Sequence, residues 1–361
     1  MNNTYAVIMA GGVGSRFWPR SRERSPKQAL NIVGNGTMIQ NTVKRIETLV
    51  PSENILIITN KVQRDIISQQ LPHIPNENIL VEPVGRNTAP CIGLAAHWIL
   101  RKDPQGVMIV LPADHLISEN KKFYQVLQRA IHTAESSQSL VTIGIKPTHP
   151  ETGYGYIQYE DIDDHNPYIE DKIYRVKTFA EKPNYETAVK FIESGDFLWN
   201  SGIFIWRASV ILDEIQRLLP EIADQLQKVA KTLGTEDYEN TLELAYGVIR
   251  GISIDYGVME KAKSVYVALA DFGWSDVGSW DEVKRLTPVD EDGNALRGNV
   301  IVRDASGNYV DAGQKIVAMI GVKDLIVVTT DDAILICEQG RSQEVKEIVD
   351  FLKRKKMYEY L

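Results

Sequence analysis

A glycine-rich turn near the N-terminus carries residues that could bind a polyphosphate. The segment 10–27 reads AGGVGSRFWPRSRERSPK and follows a short apolar run, residues 5–9, which has the length of a buried strand. Glycines let backbone N–H groups approach an anion closely, and two basic side chains add fixed positive charge. The candidate ligands of phosphate are Gly11, Gly12, Gly14, Ser15, Arg16 and Lys27.

Two better-known glycine motifs do not fit this turn. A dinucleotide fingerprint that starts at Gly12 and Gly14 needs its third glycine where Phe17 stands. The other common phosphate loop ends in Gly-Lys-Ser or Gly-Lys-Thr, which residues 10–30 lack. The sequence therefore disfavours an NAD-dependent oxidoreductase.

Two aspartates follow predicted strands, where carboxylates can hold a divalent cation. Asp114 lies just past an apolar run that ends at Leu111, and Asp276 lies in a glycine-bracketed loop after the strand predicted over Val265–Leu269. Mg²⁺ takes one or two carboxylates together with phosphate oxygens and waters. The alternative for Asp114 is a turn or helix cap, and we expect His115 to form hydrogen bonds rather than coordinate. Spacing alone does not bring the two aspartates together.

The segment Glu82–Pro90 is a stiff loop with polar groups that could bind a nucleobase edge. Its two prolines and one glycine restrict the backbone. The candidate residues are Pro83, Asn87 and Thr88. The alternative for Thr88 is the N-cap of the helix predicted from Ala89.

Three later segments carry groups suited to a sugar phosphate. Gly155 lies in an aromatic strand and would allow a ligand to approach the backbone. Glu181 and Lys182 end another strand, so we expect them to point to opposite faces, one toward the cleft. Asn200 opens an apolar strand, where its amide needs a partner such as a sugar hydroxyl. The alternative for Lys182 is a solvated surface lysine.

The elements that position these residues form an α/β pattern. Strands alternate with helices over the first half, which predicts a mainly parallel sheet with helices on both faces and ligands beyond the carboxyl ends of its strands. Residues 152–159 predict an antiparallel hairpin beside that sheet, and 161–167 an exposed acidic excursion. Short strands after Arg297, closed by a helix over 342–353, predict a small β-solenoid or sandwich. We predict a catalytic domain at 1–290 and a C-terminal β-domain at 291–361.

Composition limits the class of protein. The chain has 361 residues, 43% of them hydrophobic, and 40 Lys plus Arg against 48 Asp plus Glu, a net charge of -8. We therefore expect no nucleic-acid partner, no membrane partner and a cytoplasmic location. Cys91 and Cys337 lie far apart without metal-type spacing, so we expect two free thiols.

The turn with its basic residues and prolines resembles the signature of sugar-1-phosphate nucleotidyltransferases. Its Phe-Trp-Pro-Arg-Ser variant is most similar to that of mannose-1-phosphate guanylyltransferases, and further similar blocks cover roughly residues 4–350. The resemblance implies a Rossmann-like, glycosyltransferase-A-like mixed sheet and a short C-terminal β-helix that forms dimers. It also implies that Asp114 and Asp276 hold Mg²⁺ together, that 82–90 binds guanine, that Glu181 and Asn200 meet the hexose, and that Lys182 meets its phosphate.

The implied reaction joins GTP and mannose 1-phosphate into GDP-mannose and pyrophosphate, in a homodimer. We expect Arg16 and Lys27 to hold the leaving pyrophosphate, and Lys27→Ala to fold normally but lose turnover. Two alternatives remain open. One is a nucleotidyltransferase for another base or hexose, and the other is a catalytically silent regulatory relative that binds a nucleotide sugar.

Overall fold

The computed structural model describes residues 3–160 and 167–361. Its strands are β1 (Thr4–Met9), β2 (Ile55–Asn60), β3 (Ile79–Glu82), β4 (Val107–Pro112), β5 (Leu116–Ile117), β6 (Leu140–Ile145), β7 (Gly155–Glu160), β8 (Ile173–Glu181), β9 (Phe197–Arg207), β10 (Val265–Ala270), β11 (Trp274–Ser275), β12 (Ala295–Arg303), β13 (Tyr309–Ile320), β14 (Leu325–Thr329) and β15 (Ile334–Glu338). Its helices are α1 (Met38–Ile46), α2 (Arg64–Gln70), α3 (Thr88–Lys102), α4 (Asn120–Ser136), α5 (Tyr185–Ser194), α6 (Ala208–Leu218), α7 (Pro220–Thr232), α8 (Tyr238–Val248), α9 (Trp280–Leu286) and α10 (Val345–Arg354).

A nine-stranded mixed sheet forms the centre of the molecule. Its strand order is β3-β2-β1-β4-β9-β6-β10-β8-β7. Within it, β3, β2, β1 and β4 pair in parallel, as do β6 and β10, whereas β8 and β9 run against their neighbours. The predicted mainly parallel α/β sheet is therefore confirmed.

Helices cover both faces of the sheet, as its apolar strands require. Alternate residues of β1 enter different cores, with Ala6 and Ile8 on one face and Tyr5 and Val7 on the other. All four are buried, which explains why this strand reads as a continuous apolar run rather than an alternating one. The first core packs against α1 and α4, and the second against α3, α6 and α7.

Several element boundaries differ from the sequence-based expectations. The hairpin predicted beside the sheet is part of it, because β7 pairs with both β8 and β9 at the sheet edge. The helical stretch 209–250 contains the three helices α6, α7 and α8, which cover α3 and one face of the sheet. Most of the predicted acidic excursion, residues 161–166, lies outside the described residues.

The C-terminal part is a small solenoid of short strands. β12, β13 and β14 pair in parallel and β15 closes the sheet in antiparallel fashion. Buried Asn294 and Asn308 stack between successive turns, since Asn308 Nδ2 donates to Asn294 Oδ1 at 2.9 Å and the Leu325 N–H donates to Asn308 Oδ1 at 2.9 Å. Such a ladder satisfies buried backbone groups where the chain turns, and it confirms the β-solenoid expectation over the sandwich.

This C-terminal part packs on the glycine-rich turn. Trp280, at the start of α9, meets Phe17 of the turn edge-on at 5.0 Å between ring centroids and stacks on Tyr309 of β13 at 5.7 Å. These three side chains are almost fully buried and share one apolar cluster with Val345 of α10. Side chains from both parts of the chain therefore hold the turn in place. The domain boundary between residues 290 and 291 stays a prediction.

The lengths and compositions of the helices show whether any of them could span a membrane. In the part of the chain that the structure describes, no helix is both long and apolar enough to cross a membrane. Cys91 and Cys337 are both free, as expected.

Candidate active site

The glycine-rich turn has a conformation that requires glycine at position 14. Gly14 has φ +74°, and a Cβ there would stand 2.4 Å from Lys27 Cβ. The turn is closed by the Lys27 N–H, which donates to the Val13 carbonyl at 3.0 Å. Buried Gln28, which sequence reasoning missed, donates from Nε2 to the Ala10 and Gly12 carbonyls at 2.8 Å each. A side chain at position 14 would therefore push the two ends of the turn apart.

Lys27 joins the two aspartates that were predicted to act together. Its side chain is almost fully buried, and its Nζ lies 2.8 Å from Asp114 Oδ2 and donates to the Asp276 carbonyl at 2.7 Å. Residues 114 and 276 are far apart in the chain, so only the fold could bring them to one ammonium group. The structure thus places Lys27, Asp114 and Asp276 at a single point beyond the carboxyl ends of β1 and β4.

These residues line one cavity of about 320 Å³ beside the turn. Its lining residues are Gly14, Ser15, Arg16, Phe17, Lys27, Asp114, His115, Asp276, Gly278 and Lys346. Gly278 leaves room for the Asp276 carboxylate, because a Cβ there would stand 3.0 Å from both of its oxygens. Gly11 and Gly12 belong to the same turn but do not line this cavity.

Hydrogen bonds orient the acidic groups. The Tyr154 hydroxyl, which sequence reasoning did not single out as a site residue, donates to Asp276 Oδ1 at 2.8 Å. His115 Nδ1 accepts from Trp274 Nε1 at 3.1 Å, in agreement with the hydrogen-bonding role expected of His115. The sequence indicated the roles of Tyr154 and His115 only weakly, because aromatic residues in strands and single histidines usually have structural roles.

The charges around the cavity change the pKa values of its groups. Burial is the largest single influence on the pKa of Asp114 and would raise it, but the Lys27 ammonium, its hydrogen bond to the carboxylate and further neighbouring groups together lower the pKa. Burial lowers the pKa of His115, so the imidazole is neutral at pH 7. Burial and the Asp276 carboxylate both raise the pKa of the Tyr154 phenol, which stays a donor. The Asp114 carboxylate is therefore charged at neutral pH and able to bind a cation.

The donor set suits a divalent cation shared with phosphate. No group of three or more His, Cys, Asp or Glu side chains able to hold a metal occurs in residues 3–160 or 167–361. Two carboxylates beside the glycine-rich turn match the preference of Mg²⁺, which takes few protein ligands and completes its shell with phosphate oxygens and water. Asp114 and Asp276 therefore fit a cation held jointly by protein and substrate.

The sugar-side candidates form a second group. A Cβ on Gly155 would stand 2.5 Å from Glu181 Oε2 and 3.5 Å from Asn200 Cβ, so these three residues are neighbours. Lys182 Nζ makes an ion pair with Glu181 Oε1. The expectation that Glu181 and Lys182 point to opposite faces is wrong, because β8 ends at Glu181 and Lys182 adopts a left-handed backbone conformation with φ +48°.

The Asn200 amide has a protein partner for one of its two N–H groups. Its Nδ2 donates to Asp255 Oδ1 at 2.7 Å. Burial is the main reason that the pKa of Asp255 is raised to about 6, and the Asn200 hydrogen bond opposes the rise. The structure supplies the Asp255 carboxylate as one partner of the Asn200 amide, and the sugar hydroxyl expected as a partner stays a prediction. Asp255 therefore orients Asn200.

We expect Asp255→Asn to flatten the pH dependence of stability between about pH 4 and pH 6. The native state binds the Asp255 proton more tightly than the unfolded state, so the free energy of unfolding falls as the pH rises through this window. Asparagine keeps an oxygen for the Asn200 amide, and the variant should be more stable by up to about 3 kcal/mol at pH 7. Urea unfolding across pH measures this. Asp213→Asn, on an exposed face of α6, is the control, and parallel curves for the wild type and Asp255→Asn would contradict the prediction.

The base-side candidates in the loop 82–90 do not line the cavity beside the glycine-rich turn. Asn87, at φ +67°, caps α3 by accepting a hydrogen bond from the Thr88 N–H at 2.9 Å. The alternative that Thr88 caps the helix is therefore wrong, since Thr88 is already helical and its Oγ1 accepts from the Ile254 N–H at 2.8 Å. Pro83 precedes this cap in the turn after β3.

Glu82 is a buried carboxylate that sequence reasoning left out of the site. It ends β3, and its Oε2 lies 3.7 Å from the point where a Cβ on Gly11 would stand. Burial raises the pKa of Glu82 to about 7, although Tyr246 opposes the rise. Its Oε1 has no hydrogen-bond partner among the described residues. The only feature of the sequence that could have indicated Glu82 as a site residue is its position at the start of a loop rich in proline and glycine.

Comparison with known proteins identifies close relatives. The nucleotidyl transferase family profile matches residues 5–293, and that of the MannoseP isomerase/GMP-like beta-helix domain matches residues 298–352. A mannose-1-phosphate guanylyltransferase from Escherichia coli is 39% identical over 351 residues, covering 96% of this chain and 75% of the relative. One from Klebsiella pneumoniae is 40% identical over 360 residues, covering 98% and 75%. A crystal structure from Thermus thermophilus, described as a mannose-1-phosphate geranyltransferase, has a TM-score of 0.86 at 34% identity and covers 97% of this chain and 99% of its own.

Proposed function

Since this chain belongs to the nucleotidyl transferase family, we propose that it is a mannose-1-phosphate guanylyltransferase. It joins GTP and mannose 1-phosphate into GDP-mannose and releases pyrophosphate. The observation that carries the proposal is the meeting of Lys27, Asp114 and Asp276 beside the glycine-rich turn, in a chain about 40% identical to relatives that bear this name.

The chemistry needs positioning and charge neutralisation rather than a protein nucleophile. A phosphate oxygen of the sugar attacks the α-phosphorus in line, and pyrophosphate leaves on the opposite side. Arg16 and Lys27 stabilise the negative charge that develops on the leaving group, since both line the cavity at the turn. Backbone N–H groups of Gly14 and Ser15 contribute to the same cavity, and those of Gly11 and Gly12 belong to the adjoining part of the turn, where they would meet the rest of the nucleotide.

Asp114 and Asp276 would hold the divalent cation that the family typically uses, and we assign Mg²⁺ because both candidate ligands are carboxylates. A cation held there would supply positive charge against the phosphate groups of the nucleotide. Lys27 keeps Asp114 ionised and so ready to coordinate. Tyr154 restrains the Asp276 carboxylate through its hydroxyl.

The remaining predicted residues bind the sugar phosphate and the guanine base. Lys182 attracts the phosphate of the incoming sugar, while Glu181 and Asn200 meet hexose hydroxyls beside Gly155. Pro83, Asn87 and Thr88 form the guanine side of the cleft. Mg²⁺ preference, a homodimer and a cytoplasmic location are part of this proposal, which includes no nucleic-acid or membrane partner.

We expect GTP with mannose 1-phosphate to be preferred over other pairs by roughly 100-fold or more in kcat/KM, because sites that bind polar groups by hydrogen bonds reject analogues strongly. The assay compares four nucleoside triphosphates against mannose, glucose and galactose 1-phosphates, with pyrophosphate release as the readout. A stronger preference for another base or hexose would favour the related nucleotidyltransferase instead. Binding of GDP-mannose without pyrophosphate release would favour the catalytically silent relative.

A further inference from the structure

The C-terminal helix α10 sends a lysine into the phosphate cavity. Lys346, the second residue of α10, lines the cavity with Arg16, Lys27, Asp114 and Asp276. It comes from the β-solenoid part of the chain, whereas the other four belong to the nucleotidyltransferase part. Sequence reasoning gave this helix only a closing role.

We propose that Lys346 binds the leaving pyrophosphate, as a third cation beside Arg16 and Lys27. This inference rests on the proposed function and adds a residue to it. Lys346 also links the C-terminal part to catalysis, because the phosphate cavity is incomplete without α10.

The charge balance of the cavity supports this assignment. Its lining contains three cations, Arg16, Lys27 and Lys346, against the carboxylates of Asp114 and Asp276. Lys27 already donates to Asp114 and to the Asp276 carbonyl, so much of its charge is compensated within the protein. Without Lys346 the lining would have no net positive charge for a leaving group that carries several negative charges.

Lys346 is available for such a role. Its side chain is exposed, and among residues 3–160 and 167–361 no hydrogen bond or ion pair engages it. Its neighbour Glu344 pairs with Arg341 at 2.6 Å instead. An ammonium that faces a cavity without an internal partner keeps its donors for a ligand.

The backbone that carries Lys346 is firmly anchored. Val345 is buried in the cluster that contains Phe17 and Trp280. Just before the helix, the Gly340 N–H donates to Asp281 Oδ1 at 2.7 Å and the Ser342 N–H donates to Asp281 Oδ2 at 3.2 Å. α10 also packs directly on the segment 15–17. The position of Lys346 relative to Arg16 is therefore set by packing on both sides.

The reverse reaction tests this assignment, because its two substrates separate the parts of the site. In Lys346→Ala we expect KM for pyrophosphate to rise roughly tenfold or more, as when one charged contact to a phosphate is lost. KM for GDP-mannose should change less than about twofold, since that product lacks the leaving phosphates. Lys346→Arg keeps the charge and should recover most of the affinity for pyrophosphate.

Lys353→Ala is the matched control, because Lys353 lies two turns further along α10 and does not line the cavity. It should leave both KM values unchanged. A Lys346→Ala enzyme with the wild-type KM for pyrophosphate would overturn the inference, and so would an equal rise in both KM values. Wild-type turnover of GTP and mannose 1-phosphate tests the proposed function separately, so the two failures are distinguishable.

Discussion

Lys27→Met is expected to lower kcat by roughly 10²- to 10³-fold, the loss measured when one preorganised charge contact is removed from an active site. Among residues 3–160 and 167–361, Lys27 is the side chain that touches both aspartates of the proposed metal site, through Asp114 Oδ2 and the Asp276 carbonyl. Methionine keeps the buried apolar stem, which packs against Gly14. Asp114 also loses its ion-pair partner, which costs some stability, but with the stem in place the larger effect should fall on catalysis.

The measurement is pyrophosphate release at saturating GTP and mannose 1-phosphate, with circular dichroism to check the fold. Methionine is a better test than the Lys27→Ala change suggested by the sequence, because alanine would also empty buried space. Lys122→Met, at an exposed lysine paired with Glu119 at 3.0 Å, is the control and should keep wild-type turnover. A Lys27→Met enzyme with wild-type kcat would remove Lys27 from the mechanism.

Trp280→Ala is expected to lower the free energy of unfolding by about 3–5 kcal/mol, the usual cost of removing a large aromatic side chain from a core. The Trp280 ring is completely buried between Phe17 and Tyr309, and its Nε1 donates to the Trp18 carbonyl at 3.2 Å. Truncation therefore empties the cluster that joins the glycine-rich turn to the C-terminal strands. Because the turn loses support, KM for GTP should also rise.

Urea unfolding measures the change in stability, and initial rates measure KM. Trp98→Ala is the control for loss of an indole, since Trp98 is only partly buried on α3 and should cost less. Equal losses of stability in the two variants would contradict the assignment of Trp280 as the link. An unchanged KM for GTP would show that the turn holds its conformation without the C-terminal part.

Errors in the sequence-based expectations share one cause, which is local backbone geometry that a periodic pattern does not reveal. Lys182 was placed opposite Glu181 by strand alternation, yet its left-handed conformation brings the two side chains into an ion pair. Thr88 was considered as a cap, but Asn87 takes that position at φ +67°. Both residues stand where an element starts or ends, and there the regular repeat no longer applies.

The sequence by itself determined the α/β class, the order of the elements and the identity of the turn, because apolar periodicity and glycine spacing are local properties of the chain. It also named Lys27, Asp114 and Asp276 separately. Only the tertiary structure decided that these three meet, that Asp255 holds Asn200, and that Lys346 reaches the same cavity from the far end of the chain. Such contacts depend on how helices and strands pack over long sequence separations, and no spacing within one segment encodes that packing.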